Sequence, residues 1–68
     1  MISPLREKRF FKEMSLYDLA LETDIDPARI SLLERNYRVP KKDEKERLAK
    51  ALNCRVEDIF PNNGDLNA

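Results

Sequence analysis

The sequence predicts an all-α fold of five short helices, and three observations carry this prediction. Ser3-Pro4 and Asp26-Pro27 each place a capping residue before a proline at the first helical position. Residues between such signals follow the spacing of an amphipathic helix, which places Leu19, Ala20 and Thr23 on one face. No segment alternates apolar and polar residues between turn residues, as a half-buried strand would.

The first three predicted helices begin at a capping residue. Ser15 opens the second helix, and Asp18 three residues later completes an approximate capping box. Pro40 separates the third helix from the fourth, because the residue before a proline is disfavoured in a helix. Asn53 suits the left-handed position after the fourth helix, and Pro61 closes the last. In chain order, the predicted helices cover about residues 4–12, 16–23, 27–35, 42–52 and 56–60.

The length of the chain allows one small domain. We assign residues 1–61 to this domain and residues 62–68, which are mostly polar and contain Gly64, to a flexible C-terminal tail. With 68 residues, 41% of them hydrophobic and 38% charged, the chain has enough apolar content to fold. Cys54 is the single cysteine, so an internal disulfide is excluded, and it is expected to be a small apolar residue between the last two helices.

The residue inventory argues against an enzyme. Histidine is absent and Gly64 is the single glycine, so there is no Cys/His zinc site, no Ser-His or Cys-His pair and no phosphate-binding glycine loop. The sequence therefore predicts neither a cofactor nor a metal. Apolar runs reach three residues, against about 18 for a membrane span, and no signal peptide is evident. A cytoplasmic protein without membrane contact is expected.

Two of the predicted helices are separated by only three residues, Asp24-Ile25-Asp26. This spacing favours a steep crossing with Ile25 beneath the turn. Ala20 lies where the two helices approach most closely and supplies the small side chain needed there. The arrangement is a helix-turn-helix, which presents its second helix outward.

The chain from Leu5 to Phe60 resembles the phage repressor and Cro type of helix-turn-helix, the Xre family. The resemblance implies a compact five-helix, lambda-repressor-like domain that binds specific sequences of double-stranded DNA and regulates transcription, as a repressor rather than an activator. The matching residues are Leu5-Arg6, Arg9, Ser15, Leu19-Ala20, Ile25, Ile30-Ser31, Leu33-Glu34, Pro40, Leu48-Ala49, Ala51-Leu52 and Glu57-Asp58-Ile59-Phe60.

The resemblance also implies roles for individual residues. Arg9 and Glu34 match a pair that ties the first helix to the recognition helix, and we expect them to form a partly buried support that touches no base. The expected DNA-binding residues lie at the start of the second helix, on the recognition helix and in the loop after it. They are Leu16, Tyr17, Pro27, Ala28, Arg29, Ser31, Leu32, Arg35, Asn36, Arg38, Lys41 and Lys42.

Several of these expected DNA-binding residues lack the side-chain groups that usually recognise nucleotide bases. The family often carries glutamine where this chain has Leu16, and Pro27, Ala28 and Leu32 cannot make the bidentate contacts that distinguish bases. Ala28 and Leu32 can contact a thymine methyl group. The arginines, Ser31 and the loop residues remain as polar readers or phosphate ligands.

Four positions where the family typically has glycine carry other residues. Asp24, Asn36 and Asn53 tolerate positive φ better than most residues, whereas Glu13 does not. We therefore expect the first loop to differ at Glu13. Phe10 and Phe11 stand where polar residues are usual. One ring is expected to cover the core or pack near Phe60, and the other to belong to a partner surface.

The charge balance supports an alternative function. The chain carries 13 basic and 13 acidic residues and has a pI near 6.2, whereas DNA binding normally draws on a basic face. The same fold could serve as a protein-interaction module, antitoxin-like or anchoring, with weak or no DNA binding and with Ala28 and Leu32 meeting a protein partner. If the chain binds DNA, a two-fold homodimer is expected, and the candidate dimer residues are Val56, Phe60 and Leu66.

Overall fold

The computed structural model describes residues 3–61, and these residues form five α-helices and no strand. The all-α prediction is confirmed, and four of the helices end one residue earlier than predicted. The predicted tail, residues 62–68 with Leu66, lies outside the described residues. The helices are α1 (Pro4–Phe11), α2 (Leu16–Thr23), α3 (Pro27–Glu34), α4 (Lys42–Ala51) and α5 (Val56–Ile59).

The first three helices begin at the predicted side-chain caps. The Ser3 hydroxyl accepts a hydrogen bond from the amide of Arg6, and the Asp26 carboxylate accepts one from the amide of Ala28 at 2.8 Å. Ser15 and Asp18 form a reciprocal capping box with bonds of 2.9 and 3.0 Å. These caps satisfy amide groups that have no partner inside a helix.

Three helices end in the same way, with a residue at positive φ. After α1, the amide of Glu13 donates to the carbonyl of Phe10 and that of Met14 to Arg9, which is a Schellman motif. The same pair of bonds closes α3 and α4, where Asn36 and Asn53 take the left-handed position.

Glu13 itself has a φ of 57°, so the expectation of a different first loop is wrong. The loop keeps the geometry that a glycine would adopt, because two backbone hydrogen bonds hold Glu13 in it. Asp24, at the end of α2, has a φ of 62°.

The core lies where the helices meet. α2 packs against α3 and α4, while α1 packs against α5 and α3. Ile25, in the turn between α2 and α3, is only 6% exposed, as the helix-turn-helix prediction requires. The buried apolar residues are Leu5, Leu19, Ile25, Ile30, Leu33, Leu48, Ala49, Leu52 and Ile59.

Neither Phe10 nor Phe11 belongs to this core. Phe10 is 47% exposed and Phe11 is 79% exposed, so the expectation that one ring would cover the core is wrong. The reason is helical spacing: the buried side of α1 is occupied by Leu5 and Arg9, four residues apart. The two positions that follow Arg9 rotate away from that side.

Cys54 is half-buried and packs against the core in the short connection between α4 and α5, close to its predicted place. Burial raises the pKa of its thiol above the ordinary value. Within residues 3–61, no helix combines the length and the apolar character that a membrane crossing needs.

Candidate nucleic-acid interface

An ion pair joins α1 to α3, the predicted recognition helix. The Arg9 Nε donates to Glu34 Oε2 at 2.7 Å, and Arg9 Nη2 donates to Glu34 Oε1 at 3.1 Å. The third nitrogen, Nη1, donates to the carbonyl of Met14 at 2.9 Å. Both charged side chains are buried, so the expected pair is present and extends to the first loop.

Phe10 covers one side of this pair. The Cζ atom of Arg9 lies 4.9 Å from the centre of the Phe10 ring, and that of Arg6 lies 5.3 Å from the same centre. A guanidinium over an aromatic face is attracted by the ring quadrupole, by about 0.5–1 kcal/mol at exposed sites. The half-exposed phenyl ring therefore packs against the guanidinium groups of Arg6 and Arg9.

The recognition helix α3 turns Ile30, Leu33 and Glu34 inward, as predicted. Ala28 and Arg35 are exposed, which agrees with an outward side at these positions. The other predicted contact residues of α3 are half-buried: Pro27, Arg29, Ser31 and Leu32. Of the two predicted at the start of α2, Leu16 is half-buried. Leu16 also packs against the core, whereas its neighbour Tyr17 is 71% exposed.

The end of α3 carries a cluster of exposed polar groups. Arg35 Nη2 donates to the Ser31 hydroxyl at 3.2 Å, and the guanidinium lies over the Tyr37 ring with its Cζ atom 5.2 Å from the ring centre. Arg38 Nη1 donates to the carbonyl of Tyr37 at 2.9 Å. These contacts order Arg35 and Arg38 while both side chains stay exposed.

Arg29 has a different arrangement from the other predicted DNA-binding arginines. Its Nε donates to Glu44 Oε2 at 3.0 Å, and its Nη2 donates to Glu44 Oε1 at 2.8 Å and to the carbonyl of Val39 at 3.4 Å. The hydrogen bond to Glu44 raises the pKa of Arg29, and the same bond lowers the pKa of Glu44. The sequence reasoning missed Glu44, because no sequence signal links residues 15 positions apart on different helices.

Charge is sorted along the segments that surround α3. The basic loop, which we define as residues 35–42, carries Arg35, Arg38, Lys41 and Lys42 and no acidic residue. All four side chains are exposed. By contrast, residues 15–28 carry four acidic residues and no lysine or arginine. The neutral total charge therefore hides a local positive region directly after the recognition helix.

Comparison with known families decides the class of this site. A family model described as helix-turn-helix matches residues 5–59. The chain belongs to the Xre-type helix-turn-helix family. No curated protein and no solved structure matches it at a significant level.

Membership of the Xre-type family makes the chain a DNA-binding helix-turn-helix protein, in a family that is not one of enzymes. The roles assigned to single residues stay predictions. Of the candidate dimer residues, Val56 and Phe60 are half-buried against the core, and Leu66 lies outside the described residues. Phe60 also lines a cleft of about 330 Å³ together with Asn36 and Arg38, which brings a dimer candidate close to the basic loop.

Proposed function

We propose that the chain is a transcriptional repressor that binds a palindromic operator as a two-fold dimer. The observation that carries this proposal is the exposed, acid-free basic loop directly after a recognition helix that the buried Arg9–Glu34 pair holds in place. Loops in this position suit phosphate contacts, which fix the register of a helix in the major groove.

The proposed contacts divide by chemistry. Pro27, Ala28 and Leu32 offer apolar contact, which can recognise the methyl group of thymine. Ser31 and Arg35, joined by a hydrogen bond, are the polar readers at the end of α3. Phosphate contacts are assigned to exposed residues of the loop and of the start of α2: Tyr17, Asn36, Arg38, Lys41 and Lys42. Half-buried Leu16 lies beside Tyr17 and offers apolar contact with the DNA.

A dimer is proposed because a single domain of this size buries too little DNA surface for both affinity and specificity. Two copies related by a two-fold axis would read half-sites about 34–36 Å apart, and the operator would carry the same symmetry. The candidate dimer residues remain Val56, Phe60 and Leu66. Repression is proposed over activation because a bound dimer can block a promoter without any further contact.

Fluorescence anisotropy on duplexes from upstream of the protein's own gene tests the proposal. At two salt concentrations, we expect binding that exceeds that of a scrambled duplex and falls steeply with salt. Arg38→Ala should weaken binding and reduce the salt slope by about 0.9, the value for one lost phosphate contact. Arg55→Ala is the matched control, since Arg55 is an exposed arginine at the start of α5. An equal effect of both substitutions would remove the basic loop from the interface.

A protein-interaction module remains the second candidate function. It is favoured by the exposure of Leu21 at 84% and Phe11 at 79%, and by the four acidic residues between positions 15 and 28. This function predicts that the wild-type chain binds none of the duplexes even at low salt. A protein partner would then bind the Leu32→Ala variant more weakly than the wild type, and the salt dependence of that binding would not change.

A further inference from the structure

We propose that Arg29 and Glu44 form a positioning clamp that holds the basic loop in its DNA-contacting geometry, and that Arg29 is not itself a DNA ligand. This inference rests on the proposed function, since it assigns phosphate contacts to the basic loop. It changes the role of Arg29, which the sequence placed among the DNA-binding residues.

The clamp joins two helices across the loop. Arg29 lies near the start of α3 and Glu44 near the start of α4, and they share two hydrogen bonds of 2.8 and 3.0 Å between their planar groups. The side chain of Arg29 is 26% exposed and that of Glu44 is 12% exposed. This two-point, partly desolvated contact is stiffer than a surface ion pair between flexible side chains.

Both members of the clamp also bind the backbone of the loop. Arg29 Nη2 donates to the carbonyl of Val39 at 3.4 Å, and the amide of Lys41 donates to Glu44 Oε1 at 2.9 Å. Pro40 lies between these two points and restricts φ there. Arg29 therefore holds the carbonyl of Val39 before Pro40, while Glu44 holds the amide of Lys41 after it.

The positions of the phosphate donors explain what the clamp does. The segment held by the clamp runs from Val39 to Lys41. Arg38 immediately precedes this segment, Lys41 ends it and Lys42 follows it. With the backbone fixed between them, the donors on its two sides keep one spacing relative to α3. Preorganisation of this kind strengthens binding because the loop loses less conformational freedom when the complex forms.

The surroundings of Arg29 disfavour a phosphate. Asp24, Asp26 and Asp43 line the same shallow cleft as Arg29 and Glu44, and its other charged residues are Lys41 and Arg47. A phosphate group beside Arg29 would face four carboxylates against three cations, so the charge there is less favourable than on the acid-free loop. The Nε and Nη2 atoms of Arg29 already donate to Glu44 and to the Val39 carbonyl, so a phosphate that leaves these bonds intact could reach the guanidinium only through Nη1.

Substitution of the clamp separates positioning from charge. The probe is the duplex that the wild-type protein selects most strongly from a random-sequence pool. We expect Arg29→Met and Glu44→Gln each to bind it about tenfold more weakly, the size of effect expected for a hydrogen bond to a charged group. Glu44→Gln removes a negative charge, so charge alone would make it bind more tightly. The salt slope should stay at the wild-type value for both variants.

Two further variants and two further measurements complete the design. Arg29→Lys keeps the charge but not the planar fork, and it should lose about as much affinity as Arg29→Met. Arg55→Met is the matched control for loss of one exposed positive charge. Amide exchange followed by NMR should show faster exchange at Lys41 in Glu44→Gln than in the wild type, because its hydrogen-bond acceptor is weakened. Circular dichroism confirms that each variant is folded at the temperature used.

Several results would overturn the clamp. If Arg29→Met lowers the salt slope by about one while Glu44→Gln binds more tightly, Arg29 is a phosphate ligand. If folded variants bind as the wild type does, the pair has no positioning role. If the wild-type protein selects no duplex at all, the proposed function fails first, and the clamp loses its DNA role with it.

Discussion

The guanidinium of Arg9 meets the carboxylate of Glu34 edge to edge, through two hydrogen bonds of 2.7 and 3.1 Å between residues 25 positions apart. Both side chains are more than 90% buried. A buried ion pair contributes little compared with apolar residues of the same volume, but removal of one partner leaves a charge without compensation. The pair therefore fixes how α1 and α3 sit together more than it adds stability.

Removal of one charge from this pair should destabilise the fold severely. We expect Arg9→Met to lower the free energy of unfolding by about 3–5 kcal/mol, because Glu34 would stay buried without its partner. Urea denaturation followed by circular dichroism measures the loss. Arg6→Met is the control on the exposed side of the same helix, with an expected change of about 1 kcal/mol or less, which includes the loss of its contact with Phe10. Similar losses for the two variants would contradict the role given to the buried pair.

Glu13 offers a site where the protein can be stabilised. Its φ of 57° lies in the left-handed region, which costs a residue with a Cβ atom about 1–2 kcal/mol and glycine almost nothing. We expect Glu13→Gly to raise the free energy of unfolding by about 0.5–1 kcal/mol, after the greater entropy of glycine in the unfolded chain is counted. Thermal denaturation checks this. Lys12→Gly, at a φ of −88°, should destabilise instead.

Glu44 makes part of the stability depend on pH. Its pKa is lowered in the folded protein, so it binds a proton less readily there than in the unfolded chain. Its contribution is therefore fully present above the unfolded pKa of about 4.3 and is lost as the pH falls through the folded pKa. The difference in unfolding free energy between wild type and Glu44→Gln should shrink between about pH 6 and pH 3. A difference that stays constant over this range would count against the pairing with Arg29.

The thiol of Cys54 should react slowly in the folded protein. Burial raises its pKa, and the thiolate is the nucleophilic form. At neutral pH, we expect iodoacetamide to modify the folded chain several-fold more slowly than the same chain unfolded in urea. The unfolded chain is the internal control. Equal rates in the two states would show that the thiol is as accessible as in an unfolded peptide.

Local signals in the sequence predicted the helices and their ends well. A cap such as Ser15 with Asp18 acts across three residues, so its effect is visible in the sequence itself. The left-handed positions at Asn36 and Asn53 follow from the residue type in the same way. The place of Arg9 and Glu34 came from resemblance to the family, since neither charge has a local signal.

Other features depend on tertiary structure and could not be predicted locally. Arg29 and Glu44 lie on different helices, and only the packing of α3 beside the start of α4 brings them together. Phe10 and Phe11 are apolar, yet the buried stripe of α1 is completed by a charged residue, Arg9. Glu13 shows that two backbone hydrogen bonds can impose a conformation that its residue type disfavours.

The burial of Ile25 in the turn has a consequence for how DNA association would be measured. Because the turn contributes a side chain to the core, we expect α2, the turn and α3 to open together and α3 to be folded before it meets a partner. Binding by this domain is then close to the docking of a rigid body. Calorimetry should find a heat-capacity change that reflects only the surface covered between protein and duplex, without the additional change that accompanies folding of a segment.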